Sequence, residues 1–208
     1  KIEKVWLSEN QLEKIDVFFF IHLPSLTSLP LGIYLISTLS RSVFEHTYEL
    51  KEIYLTDNQL KSLPAQLFKS NRKLVEIRLS QNQIEEIPSN FFAGLTEVEN
   101  LWLKNNEISN LPTNLFRDLT NLSYIDLDGN NLKVLSKEIF QFNKKLEIID
   151  LSSIQLENID AELFDGMENL TFVDLSRNKC IDKDFEDLRS NSTLNLLELK
   201  REVKAKCN

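Results

Sequence analysis

Two cysteines, Cys180 and Cys207, two histidines, His22 and His46, and a row of aromatic and acidic side chains are the groups from which this chain could build chemistry. Acyl or phosphoryl transfer needs a positioned nucleophile, base or phosphate cradle. The patterns that supply them (GxSxG, HExxH, GxGxxG, a P-loop) do not occur. Neither histidine has a Ser or Cys partner arranged by sequence, and two Cys with two distant His do not make a zinc ligand cluster. The expectation is no enzyme, no cofactor and no metal. The two cysteines suit a single disulfide, worth about 3–4 kcal/mol by loop closure. Two free buried thiols in a cytosolic protein are the alternative.

The aromatic and acidic row has a fixed spacing. Trp6, Pro30, Tyr54, Arg78, Trp102, Asp126, Asp150 and Asp174 follow one another every 24 residues, and both tryptophans of the chain are among them. Aromatic residues and arginine are the types that dominate binding hot spots. Two residues before the last three of these positions stand Tyr124, Ile148 and Phe172, so an oblique apolar stripe runs from Trp6 to Phe172. Packing of these groups on one another within a sheet is the competing explanation. The three Asp, with Asp128 two residues beyond Asp126, make an acidic patch whose neighbours stand about 5 Å apart. Such a patch is either a solvated face or a dock for a basic partner. Calcium wants six to eight oxygens, which this ladder does not close around an ion.

What must position these groups is a repeat. The frame Leu50, Ile53, Leu55, Asn58, Leu60, Leu63, Leu67, Phe68 returns 24 residues later as Leu74, Ile77, Leu79, Asn82, Ile84, Ile87, Phe91, Phe92. In the same register eight units start at residues 2, 26, 50, 74, 98, 122, 146 and 170. A constant period of this length specifies a solenoid. The apolar stretch Val17 to Ile21 and Leu23 to Leu39 is broken by His22, Pro24, Pro30 and Gly32, and its residues fall in the frame, so it reads as a second repeat and not a membrane helix. Positions 3 to 7 of each unit alternate and predict a short strand. The Asn at position 9 predicts a ladder of buried amides, with rungs missing at Tyr34 and Ile154. Phe20, Phe44, Phe68, Phe92, Phe116, Phe140 and Phe164 predict a continuous spine. Narrow strands on one side and bulky rings on the other bend the stack with the strands inside.

The frame LxxLxLxxNxLxxLPxxxFxxLxx, nearly complete in Leu74 to Glu97, resembles the 24-residue class of leucine-rich repeats found in extracellular proteins. The resemblance implies an α/β solenoid, a leucine-rich repeat horseshoe of short parallel concave strands with a helical C-terminal cap. One domain spans residues 1–208, with the cap at about 180–208. The stretch Asp184 to Lys206 reads as helical, with Phe185, Leu188, Leu196, Leu199 and Val203 near one face. Asn178, Cys180, Ile181, Phe185 and Cys207 resemble the caps of secreted insect immune leucine-rich repeat proteins, including those of mosquitoes. That likeness implies immune recognition or effector scaffolding.

Three N-x-S/T sequons, at Asn121, Asn169 and Asn191, agree with an extracellular place. The first two share position 24 and would put glycans on one rim. The formal charge of −8 argues against nucleic acid as partner. Without an initial Met, the chain reads as a mature form or a fragment. The expected partner is a protein, with a basic patch opposite the acidic half of the face. A receptor ectodomain or an intracellular scaffold are the alternatives, the last requiring free thiols.

Overall fold

The computed structural model describes residues 2–5, 14–33, 35–186 and 192–207. Trp6, Asn10, Tyr34, Leu188 and Asn191 lie outside the described residues. Seven parallel strands, Ser28–Pro30, Glu52–Tyr54, Glu76–Arg78, Asn100–Trp102, Tyr124–Asp126, Ile148–Asp150 and Phe172–Asp174, lie side by side in sequence order. Each residue pairs with the one 24 positions on, as in Tyr54 with Arg78 and Arg78 with Trp102. At the N-terminal edge Lys4 bridges Ser28 in the same register. The fold is the leucine-rich repeat horseshoe with a helical cap.

The strands are three residues long, shorter than positions 3 to 7. The reason is at position 8, where Ile33, Asp57, Gln81, Asn105, Gly129, Ser153 and Arg177 all have φ between 53° and 68°. A left-handed residue turns the chain out of extended geometry. Hydrogen bonds between units nevertheless continue into the turn, with Leu55 N–H donating to Arg78 C=O (2.8 Å) and Asp57 N–H to Ser80 C=O (3.1 Å). Position 7 therefore still borders the sheet.

The central residue of each strand is buried, and so are the Leu two positions on and the Phe column, the latter at 1% exposure or less. Ring centroids in that column are 5.9 Å apart for Phe44 and Phe68 and 5.7 Å for Phe116 and Phe140. Phe91 wedges between Phe68 and Phe92, at 5.3 and 4.8 Å. The Asn ladder forms as expected. Asn82 Nδ2 donates to the carbonyls of Leu55 (2.9 Å) and Leu79 (3.0 Å), while its Oδ1 accepts from Leu60 N–H (3.0 Å). One amide thus ties two units together. At Ile154, where the rung is missing, Asn178 Oδ1 accepts from both Ile154 N–H (3.1 Å) and Leu156 N–H (3.0 Å), and Gln155 turns to φ 65°. Other partners and local distortion both occur.

Two features have no counterpart in the sequence reading. Short parallel pairs also form at positions 13 and 14, Lys14–Ile15 with Thr38–Leu39 and Val134–Leu135 with Asn158–Ile159. Asn71 and Asn143, at position 22, bond the preceding unit too: Asn71 Nδ2 donates to Phe44 C=O (3.1 Å) and Thr47 C=O (2.8 Å), and Asn143 Nδ2 to Phe116 C=O (2.9 Å) and Leu119 C=O (2.8 Å).

At the C-terminal end the helical reading needs correction. Asp184–Phe185 is a strand, antiparallel to Phe172–Asp174, with Val173 opposite Phe185 and Asp174 opposite Asp184. The last parallel strand would otherwise present unpaired N–H and C=O groups, and satisfying them outweighs local helical periodicity. The helix is Ser192–Lys206, with Leu199 and Val203 fully buried. Cys180 and Cys207 are joined, their Cα atoms 4.9 Å apart, so the end of the helix is tied to the turn after the last parallel strand.

Candidate functional site

Side chains at positions 3, 5 and 7 of successive units form three columns on the concave face. The middle column, in strict register, is Pro30, Tyr54, Arg78, Trp102, Asp126, Asp150 and Asp174. Parallel strands about 4.8 Å apart bring each group against the next.

In the N-terminal half the column is a stack. The Arg78 guanidinium carbon lies 4.9 Å from the Tyr54 ring centroid and 4.5 Å from that of Trp102, between the two rings. Its Nε is 2.5 Å from Glu76 Oε1. Trp102 in turn packs on Tyr124, centroids 5.1 Å apart and planes at 39°. The Tyr54 hydroxyl donates to Glu52 Oε2 at 3.0 Å. Burial first, and this bond second, push its pKa up to about 12. Tyr124 is also raised, chiefly by burial and then by the charges of Asp126 and Asp150. The stripe continues through Ile148 and Phe172, both half-buried and in register with Tyr124. These residues pack on one another and still keep part of their surface exposed.

In the C-terminal half the acids do a structural job. Asp126 Oδ1 accepts from Asp128 N–H (3.0 Å), Asp150 Oδ1 from Ser152 N–H (3.0 Å), and Asp174 Oδ1 from Ser176 N–H (2.8 Å). Each closes the turn that follows its strand, the local bond that Asp forms two residues on. The spacing Asp-x-Asp or Asp-x-Ser carried this signal in the sequence. The other carboxylate oxygen of Asp126, Asp150 and Asp174 has no partner among the described residues. Asp128 is engaged at both oxygens, by Lys104 Nζ (2.8 Å) and by the Ser152 hydroxyl (2.8 Å), which is also 2.7 Å from Asp150 Oδ1. Burial works against the charge of Asp128, but these bonds outweigh it and lower its pKa. Asp126 is only 6% exposed. Burial, with repulsion from Asp150 added, lifts it from 3.8 to about 6 even though the Asp128 N–H bond opposes the change. Among the described residues no group of three or more His, Cys, Asp or Glu is arranged to hold a metal ion.

On one rim Asn121 and Asn169 line a shared depression of about 520 Å³ together with Glu99, Ser123, Lys145 and Glu147. Lys145 Nζ donates to Asn121 Oδ1 (2.6 Å), and Asn169 Nδ2 donates to Lys144 C=O (3.1 Å). Asn169 is exposed and Asn121 partly so. The hydroxyls of both sequons, Ser123 and Thr171, bond the backbone of the preceding unit at Glu99 and Glu147.

The Leucine rich repeat family model matches overlapping windows from residues 1–60 to residues 120–180. The chain belongs to the leucine-rich repeat family. No curated protein matches it in sequence. Among solved structures it is similar to the Drosophila Toll receptor in its complex with Spatzle, with 26% identity and a TM-score of 0.69 over 82% of this chain and 26% of that one. It is similar to a leucine-rich repeat protein of Leptospira interrogans (25% identity, TM-score 0.75, 84% of this chain and 43% of that one). A third likeness is to TLR13 in a complex with single-stranded RNA (30% identity, TM-score 0.76, 81% of this chain and 24% of that one). The chain thus spans about a quarter of Toll and of TLR13 and less than half of the Leptospira protein.

Proposed function

We propose that this chain is a non-enzymatic protein-binding module that takes a protein ligand on its concave face, outside the cell, in immune recognition or effector scaffolding. The observation that carries the proposal is the stack Tyr54, Arg78, Trp102 and Tyr124. Its groups are held rigid by one another yet remain partly exposed at the centre of the face. Pre-formed aromatic surface loses little conformational freedom on binding. The chain acts as one domain of eight units.

The likeness to Toll, seen in its complex with Spatzle, supports a protein ligand. The likeness to TLR13, bound to RNA, raises the other class. A charge of −8 and the carboxylate column at the face favour a protein with a basic patch over a polyphosphate. The Cys180–Cys207 disulfide and the accessible sequon residues Asn121 and Asn169 support an oxidising, glycosylating compartment and oppose an intracellular scaffold. Because the chain corresponds to about a quarter of Toll, the ectodomain of a longer membrane receptor is the second reading. No helix among the described residues is long and apolar enough to cross a membrane.

The test is the double substitution Trp102→Ala with Tyr54→Ala. Capture of a protein partner identified by pull-down with the parent chain is expected to be lost, with far-UV circular dichroism and a cooperative thermal transition retained. Undiminished capture by a folded double variant would overturn the concave site.

A further inference from the structure

We propose that the concave face recognises an arginine side chain of its partner, laid on the Trp102 and Tyr124 rings with its guanidinium between the carboxylates of Asp126 and Asp150. The proposal rests on the reading of this face as the binding surface and adds the chemistry of the group it takes.

The face already contains one example of the arrangement. Arg78 lies between Tyr54 and Trp102, 4.9 and 4.5 Å from their rings, and reaches Glu76 at 2.5 Å. The protein's own arginine is held by aromatic faces and a carboxylate. One step along the stack the same ingredients recur, and the cation nearest them, Lys104, is paired with Asp128 and not laid on the rings. Trp102 and Tyr124 give an aromatic ledge. Asp126 pairs with Trp102 in the sheet register, Asp150 with Asp126. Asp126 follows Tyr124 by two residues on one strand and Asp150 stands beside Asp126 on the next, so both border the ledge.

Asp126 and Asp150 each spend one oxygen on a backbone N–H and leave the other without a partner among the described residues. Asp126 is only 6% exposed as a residue, and its second oxygen lies in the part that solvent still reaches. A charged donor reaching that oxygen replaces solvent with a charge-assisted hydrogen bond. The nearest lysine, Lys104, is bonded to Asp128 at 2.8 Å and acts on Asp126 and Asp150 only through space, so neither of these acids has a direct ion pair among the described residues.

Geometry selects arginine over lysine. Two carboxylates on adjacent strands are about 4.8 Å apart, a span that a planar guanidinium covers with separate N–H groups while its face rests on the rings. An ammonium is a compact, strongly hydrated charge that can pair with one acid but does not stack. A neutral or acidic side chain leaves the carboxylates desolvated and unpaired.

The probes are tetra-arginine and tetra-lysine peptides, both acetylated and amidated, with Trp6→Phe in the protein so that Trp102 is the one indole signal. The expected result is that tetra-arginine shifts the Trp102 indole resonance and binds about tenfold more tightly than tetra-lysine, the difference an added charge-assisted bond and stacking supply. Asp126→Asn with Asp150→Asn keeps the oxygens that accept the backbone N–H groups and is expected to abolish the preference. Equal affinity of the two peptides, a preference for lysine, an unmoved indole, or an arginine preference that survives both substitutions overturns the proposal. Any of these alongside loss of partner capture in the Trp102→Ala, Tyr54→Ala variant leaves the concave site standing and removes only the arginine.

Discussion

Asp126 holds its proton to a higher pH than a solvated carboxyl because its neighbours bury it and Asp150 stands beside it. A carboxyl raised from 3.8 to about 6 on folding adds stability that is complete below pH 3.8 and is lost as pH rises through 6. At pH 7.5 the ionised group is therefore a net cost to the fold, and Asp126→Asn, which keeps the acceptor for Asp128 N–H, is expected to stabilise it by roughly 2 kcal/mol. The gain should vanish near pH 4. Urea denaturation of both proteins at the two pH values checks this, and a gain independent of pH would show that the charge is not its source. Asp128, one turn away, acts with the opposite sign, since its lowered pKa makes its contribution disappear as pH falls. Two acids two residues apart thus differ through their partners: Lys104 and Ser152 serve Asp128, and a single backbone N–H serves Asp126.

Among the elements, the cap is where covalent and noncovalent closure meet. The helix Ser192–Lys206 buries Leu199 and Val203, and Cys207 at its end is bonded to Cys180. Replacing both cysteines by serine is expected to cost about 3 kcal/mol. Amide exchange should quicken first in the helix, with the parallel strands keeping their protection. Equal acceleration along the chain would mean that the cap and the stack open as one. The parallel strands and the Phe column were legible in the sequence because each follows from an unbroken period: Leu101 and Phe116 have counterparts in every complete unit. The two-residue strand Asp184–Phe185 was not, because its only cause is the exposed edge of Phe172–Asp174, a tertiary fact. The left-handed position was hidden as well. Ile33, Asp57, Gln81 and Arg177 share a backbone shape but no side-chain chemistry. On the concave face the order of Tyr54, Arg78 and Trp102 was readable, whereas the use of Asp150 and Asp174 to close turns emerged only with the hydrogen bonds.

For the whole molecule the decisive property is that each unit bonds chiefly to the next, through the strand ladder and through Asn58, Asn82, Asn106 and Asn130. Stability is then close to a sum over units and their interfaces. Removal of residues 74–97, one whole period, is expected to leave a protein that folds cooperatively, because Lys73 then leads into Val98 with the frame intact. Removal of residues 80–91 breaks the register and is expected to prevent folding. Circular dichroism with urea unfolding separates the cases, and equal behaviour of the two deletions would refute additivity by units. The antiparallel strand Asp184–Phe185 has a further effect at this scale. Head-to-tail growth of parallel strands needs the free edge of the last one, and that edge of Phe172–Asp174 is already taken by a strand running the other way. The reversed strand thus keeps the parallel ladder from being continued by a neighbouring copy at Phe172–Asp174.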